Sequence, residues 1–430
     1  QNRDSGEDVP VLLFPRGHRG LGSQTTLARG LALGGLALSA LVLLPLPLWI
    51  AQSRGSTSEL LSKSDRLSKS EPLSQSDPTA DELVLGQSLP LSGPSAQLGL
   101  DYRRGAMAWF DAVNRRGGIH GRRIRLISLD DQYEPDRTLE NTRRLLDRQD
   151  LLALFGYVGT PTTKVALPLI EKAAVPLVAP MTGASLLRRP ELRMVFNLRA
   201  SYRGEITAMV DEMVRDANHR IAVVYQDDAF GQDGLEGALV ALRRHGLKPV
   251  VTATVERNSD QVGSAVRRLM DVNPNGVVVV SAYVSSAALA TAMRERGSRA
   301  QIMNVSFVGT KALQQAMPVG VSNGIGVAQV VPFPWNRWIP VVAEYQKLMR
   351  RNNEDPGFGF TSLEGFLAAR LITDALDRAG PDPTRESLVK AMESIRDLDL
   401  GGFRVDMDRD DHQASDFCLL YTSPSPRDSV

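Results

Sequence analysis

Short apolar runs alternate with amphipathic stretches through most of this chain. Leu83 to Leu89 is an apolar run that stops at Pro90, the pattern of a mostly buried strand whose carboxyl end opens into a loop. Ser92-Gly93-Pro94 makes the turn. From Gly99 the positions Ala106, Trp109, Phe110 and Val113 recur at helical spacing, Gly117-Gly118 punctuates that helix, and Ile124 to Ile127 begins the next strand. A parallel strand-helix-strand crossover is the default reading of such a unit.

The alternation then repeats. Leu151 to Phe155 is a strand run, followed by the small polar loop Gly156 to Thr163 and a helix to Ala173. Val175 to Val178 is a buried strand ending in Pro180-Met181-Thr182-Gly183, and Val195 to Leu198 is the strand that leaves this lobe. A second series follows: strands at Ile221 to Tyr225, Val250 to Val255, Val277 to Val280, Ile302 to Phe307 and Ile325 to Val331, with helices at Gln232 to His245 and near Gln261 to Met270. Three amphipathic helices close the chain, Arg337 to Arg351, Thr361 to Arg378 and Thr384 to Arg396. The expected fold class is α/β, two doubly wound Rossmann-like lobes joined by a hinge.

The amino-terminal part has a different pattern. Ala28 to Ala51 is apolar apart from Arg29, follows several arginines, and lacks a small-x-small cleavage site near its end. It is read as one transmembrane signal anchor, with a cleaved signal peptide as the competing reading. Residues 1–27 are then a cytoplasmic segment, and the Ser- and Lys-rich residues 52–81 a flexible linker. The expected domains are 82–200 plus 332–400 for lobe 1 and 201–331 plus 401–417 for lobe 2. The start at Gln1 without Met is read as that of a fragment, and residues 418–430 as a non-native tail resembling adaptor read-through.

Composition removes several functions. With 50 Lys and Arg against 49 Asp and Glu, the formal net charge of +1 supplies no basic field for nucleic acid. Cys418 is the only cysteine, so an intramolecular disulfide and a cysteine zinc cluster are excluded; the five histidines show no i,i+4 pair. No cofactor is expected. Gly320-Val321-Ser322-Asn323-Gly324 matches G-x-S-x-G formally, with His412 downstream, but Gly324 leads into a strand where a nucleophile elbow needs a helix. The phosphate loop G-x-x-x-x-G-K-[ST] is absent. Binding is expected, not catalysis.

In open α/β sheets ligands sit outside the carboxyl ends of strands, where helix starts offer N–H groups to an anion. Gly159-Thr160-Pro161-Thr162-Thr163 and Met181-Thr182-Gly183-Ala184 both satisfy that placement, with simple helix capping as the alternative for each. The pieces PLSGPSAQLG, NRRGGIHGRRIRL, DDQYEPDRT, FGYVGTPTTKVALPLIEKAAVPLVAPMTGASLLR, RIAVVYQDDAFGQDGLEG and FLAARLITDAL, in this order from Glu82 to about Phe417, resemble the type I periplasmic solute-binding proteins, the branched-chain amino-acid-binding group of ABC importers. The resemblance implies three lobe crossings, near Arg199, Pro332 and Leu400. It implies that Thr160 and Thr182-Gly183, with Gly159 and Thr162 beside them, hold a ligand carboxylate. Phe230 stands where the family closes an aromatic over the ligand, and Tyr283 at another ligand-facing aromatic position. Two positions depart from the group: Leu98 replaces an aromatic, and Ser306 replaces the acid that meets the ligand ammonium. Asp227, Asp228 or Glu364 would then supply the counter-charge. The implied partners are a small amino-acid-like ligand and ABC permease and ATPase subunits, with the membrane reached through the amino-terminal helix. The expected location is periplasmic, anchored in the cytoplasmic membrane. A sensor domain of a membrane receptor is the alternative, because the same lobe pair serves both.

Overall fold

The structure is a computed structural model that describes residues 12–13, 82–322, 324–352 and 357–422. Leu12–Leu13 forms a short strand, β1, and from Glu82 the chain alternates strand and helix. The first series is β2 (Glu82–Leu89), α1 (Ala96–Arg115), β3 (Arg123–Asp130), α2 (Pro135–Leu146), β4 (Leu151–Phe155), α3 (Thr160–Ala173), β5 (Leu177–Val178) and β6 (Val195–Phe196). The second is α4 (Tyr202–Arg215), β7 (Ile221–Gln226), α5 (Ala229–Arg244), β8 (Thr252–Val255), α6 (Gly263–Val272), β9 (Gly276–Val280), α7 (Tyr283–Glu295), β10 (Gln301–Asn304), α8 (Thr310–Ala316) and β11 (Ile325–Gln329). Then come α9 (Pro340–Asn352), α10 (Phe360–Ala379), α11 (Arg385–Glu393), the small hairpin β12 (Leu398–Asp399) and β13 (Arg404–Val405), and β14 (Leu419–Thr422).

Two sheets result, and their parallel parts have the same order. The first runs β3-β2-β4-β5-β6, and the second contains β8-β7-β9-β10-β11. In each, the opening strand is flanked by the next strand on one side and the third on the other, so the chain reverses direction across the sheet at that point. The reversal leaves a crevice at the carboxyl ends, between the β2 and β4 loops in lobe 1 and between the β7 and β9 loops in lobe 2. β4 and β9 are buried at every position, as strands covered on both faces must be. α10 packs on α1, so the second crossing of the hinge returns the chain to lobe 1, and the third brings β14 to lobe 2 antiparallel to β11. Cys418 is buried, and Leu419 pairs with Gln329.

The strands expected at Ile302 to Phe307 and Val250 to Val255 are shorter in fact. β10 ends at Asn304, and Ser306–Val308 turns as a 3-10 helix that carries Ser306 and Phe307 into the cleft region. α5 starts at Ala229, three residues before the sequence pattern placed it, because Asp228 caps it by accepting from the N–H of Phe230 at 2.9 Å.

The expected transmembrane anchor is corrected. Among the described residues no helix is long and apolar enough to cross a membrane, and residues 28–51, with the linker and the cytoplasmic segment assigned around them, lie outside the described residues. The sequence supplies a physical reason. Between Arg29 and the helix breaker Pro45 the uninterrupted apolar stretch is Gly30 to Leu44, roughly 22 Å at 1.5 Å per residue, against a hydrocarbon core of about 30 Å. The membrane contact and the anchored location have no support among the described residues, while an extracytoplasmic location fits the binding-protein fold.

α1 and α10 approach so closely that two glycines are obligatory. A Cβ on Gly105 would lie 1.7 Å from the Ser362 carbonyl oxygen, and one on Gly365 would lie 2.0 Å from that of Tyr102. Both obstacles are helix backbone and cannot rotate away. Gly105→Ala is therefore expected to destabilise lobe 1 by about 1 to 3 kcal/mol or more despite alanine's better helix propensity, read as a lowered midpoint in urea denaturation. A midpoint equal to or above the wild type's would refute the close contact.

Candidate functional site

The two lobe 1 loops meet at their hydroxyls. Gly159 has φ 99°, a conformation that admits glycine, and it delivers Thr160 to the start of α3 with Pro161 in the first turn. Val158 bridges Met181, which brings the second loop alongside. Thr160 Oγ1 and Thr182 Oγ1 are 2.7 Å apart, both fully buried, and Thr182 Oγ1 also accepts the Ala184 N–H at 3.2 Å. Two hydroxyls joined by one mutual bond keep one hydrogen to give elsewhere. Thr162 instead spends its hydroxyl on the carbonyls of Val158 and Gly159 at 2.5 and 3.0 Å, and so acts within its own helix.

Aromatic side chains link these loops into a ring that crosses both lobes. A Cβ on Gly159 would lie 2.2 Å from the Tyr133 ring, so the tyrosine lies flush on that loop. Tyr133 is 5.6 Å from Phe307, Phe307 is 4.9 Å from Phe230, and Phe230 is 5.1 Å from Tyr202, centroid to centroid. Tyr202 closes the circle: its N–H donates to the Gly183 carbonyl at 2.9 Å, and its hydroxyl lies against Thr182 without a well-formed hydrogen bond. Gln226 donates to the Tyr133 hydroxyl at 3.2 Å. Burial pushes the Tyr133 phenol well up and the Tyr202 phenol up to about 12. Phe230 was expected here, but Tyr133, Tyr202 and Phe307 were not. Each follows a strand or opens a helix, which is the signal that could have found them.

The remaining expected residues lie at the rim. Tyr283 opens α7, and its hydroxyl donates to the Pro94 carbonyl at 2.5 Å across the cleft. Leu98 packs against Gly309 of the opposite lobe. Asp228 is consumed by capping α5, by Gln226 at 2.6 Å and by Arg257 at 3.3 Å. Arg257 also reaches Glu134 at 2.9 Å, and Asn258 donates to the Gln132 carbonyl and to Glu134 at 3.0 and 2.8 Å while accepting from Ser95 at 2.7 Å. These contacts form a polar clasp between the β3 loop of lobe 1 and the β8 loop of lobe 2.

A buried charge cluster underlies the ring at the first crossing. Arg199 is 1% exposed; its Nη2 donates to Ser306 Oγ, and its Nε lies 3.2 Å from Glu364 Oε1. Glu205 accepts the Ser306 N–H at 2.7 Å and its hydroxyl at 3.0 Å. Burial raises the pKa of both Glu205 and Glu364, with Arg199 opposing. For Arg199 itself burial works against the charge, and Glu364, Tyr202 and Glu205 outweigh it, so its pKa stands above the ordinary value. The acid missing at position 306 is thus present beside Ser306, supplied by Glu205 of α4. Arg188 ties this cluster to the Thr182-Gly183 loop by donating to the carbonyls of Gly183, Arg199 and Ala200 at 3.3, 2.8 and 3.1 Å.

The hydrolase reading of Ser322 has no geometric support. The residue follows α8 and precedes β11, while His412 is buried against Phe196 and Glu393 elsewhere. Among the described residues no group of acids, histidines and cysteine could hold a metal.

Residues 82–422 match the family described as periplasmic binding protein. An amino acid binding protein of Pseudomonas aeruginosa is 25% identical over 234 residues, which are 54% of this chain and 62% of that protein. Leu/Ile/Val-binding protein homolog 7 of Brucella abortus is 24% identical over 78% of this chain and 88% of its own length. A possible leucine/isoleucine/valine-binding protein of Rhodopirellula baltica, a solved structure, superposes with TM-score 0.76 at 35% identity, covering 81% of this chain and 97% of that one. All three are named as binding proteins. By its fold, its paired switch points and its relatives, the chain belongs to the periplasmic binding protein family, as a type I solute-binding protein of the Leu/Ile/Val-binding-like group and an extracytoplasmic substrate-binding component of an ABC-type system.

Proposed function

We propose that the chain captures an amino acid or a closely related carboxylate or amide in the cleft between its lobes and delivers it to an ABC permease with its ATPase. The observation that carries this reading is the Thr160–Thr182 pair. Two buried hydroxyls at a helix start, with a spare hydrogen and main-chain N–H groups beside them, suit a carboxylate and offer little to an uncharged apolar molecule. Thr160, Thr182 and Gly183 receive that carboxylate, Phe230 covers the ligand, and Tyr283 closes the rim. The names of the relatives, which include an amino acid binding protein and Leu/Ile/Val-binding homologues, support the same ligand class.

Two outcomes follow. In calorimetric titration of amino acids, amides and plain carboxylates, Thr160→Ala is expected to weaken the best ligand by about 1.5 to 3 kcal/mol, roughly ten- to a hundredfold. Unchanged affinity, or binding confined to uncharged sugars, would remove the reading.

The clasp predicts a kinetic effect. Asn258→Ala deletes three hydrogen bonds between the lobes, and none of them touches the ring. Dissociation should accelerate by about five- to a hundredfold, equivalent to about 1 to 3 kcal/mol, with little change in association rate. Stopped-flow tryptophan fluorescence measures both rates; an unaltered dissociation rate would mean that the clasp does not hold the closed form.

A further inference from the structure

Arg199 carries more donors than the protein uses. An arginine head has five N–H groups. Ser306 takes one from Nη2 and Glu364 faces Nε, while Nη1 is buried with no hydrogen-bond partner among the described residues. Buried polar groups are almost always bonded, so an unbonded cationic donor inside a binding cleft marks the place of a ligand atom. Its surroundings put it in the site: the guanidinium carbon is 6.0 Å from the Tyr202 ring centroid, and its partner Ser306 is the neighbour of Phe307. Tyr202 stands between the two polar points, its hydroxyl against Thr182 and its ring centroid 6.0 Å from the Arg199 guanidinium carbon, so they lie on either side of one aromatic ring. A ligand touching both needs two acceptor groups.

Charge selects the second group. Arg199 and Arg188 are matched by Glu364 and Glu205, with Asp233 also acting on Arg188, so the cluster holds no spare positive charge. A second ligand carboxylate would add an uncompensated negative charge to a closed interior, and a hydrocarbon would leave Nη1 unbonded. An amide oxygen meets the donor at no cost in charge. The Tyr202 hydroxyl, buried with no hydrogen-bond partner among the described residues and beside Arg199, is an acceptor for an amide N–H group.

Resting on the carboxylate reading above, we propose that Arg199 is a specificity-determining residue whose Nη1 receives a carbonyl oxygen of the ligand's far end. The preferred ligand is then an amino acid with an amide side chain, in place of an aliphatic one.

Asparagine and leucine have side chains of nearly equal shape, and glutamine and norleucine are similarly matched in length. Calorimetry of these four L-amino acids against the full chain is expected to give each amide at least about tenfold tighter binding than its hydrocarbon counterpart, because a site built around a hydrogen bond rejects the analogue lacking it. Arg199→Met should reduce that ratio to about threefold or less while the α-carboxylate still binds. Because Arg199→Met strands Glu364, the double variant Arg199→Met/Glu364→Gln is measured beside it with circular dichroism as the folding check, and the wild-type ratio needs no variant. Equal or tighter binding of leucine than asparagine overturns the role of Arg199 and leaves the carboxylate site standing, since both carry the same α-carboxylate. A full ratio retained in either folded variant overturns it as well. Failure of all four to bind overturns both readings.

Discussion

A guanidinium can exist in this interior only because both lobes converge on it. Arg199 sits on the first crossing segment, Glu364 comes from α10 on lobe 1, and Ser306 with Glu205 comes from lobe 2. An unpaired buried cation would cost several kcal/mol, and these three neighbours are what offset it. The arrangement therefore fixes how the lobes meet. It also fixes the floor of the cleft, because Ser306 carries Phe307 with it, and Arg188 fastens the same crossing segment to Gly183. The site is a consequence of the hinge.

Duplication of strand order explains why the ligand-facing elements pair across the cleft. Each sheet reverses at its opening strand, and each reversal presents two helix starts: α1 and α3 in lobe 1, α5 and α7 in lobe 2. Facing one another, they gather Thr160, Phe230 and Tyr283 from distant parts of the chain. Close backbone approach does the rest. Gly159 leaves room for the Tyr133 ring, and Gly183 leaves room for Tyr202, where a Cβ would stand 2.7 Å from the Tyr202 nitrogen.

Much of this was legible in the sequence where periodicity and turn chemistry agree. The apolar runs at Leu83–Leu89 and Leu151–Phe155, the glycine and proline punctuation, and the two Thr-bearing loops are local signals, and the structure places both loops side by side. What stayed hidden depends on contacts between distant residues. α4 was not assigned although Ile206, Met209, Val210 and Met213 have helical spacing, and with it Glu205 was missed. Arg199 read as a mere crossing point because a lone arginine gives no hint of burial. Tyr133 and Tyr202 owe their role to long-range packing. The anchor at 28–51 rested on composition alone, and among the described residues no membrane-crossing helix supports it.

The acid at Ser306 shows how such a site can change its reading without changing its shape. A carboxylate still lies beside position 306, but it belongs to Glu205, and it already accepts two bonds from Ser306 in the company of Arg199. In that state its charge is spent on the protein. Glu364, which among the described residues has Arg199 Nε as its one ion-pair partner, is the carboxylate with capacity left, and it belongs to the opposite lobe. Arg199 and Glu364 both belong to lobe 1, so the pair by itself does not bridge the lobes and contributes little to choosing between open and closed forms. The choice then rests on what the ligand adds: bonds to donors and acceptors that the closed protein leaves unmade, worth more in a dry cleft than in water.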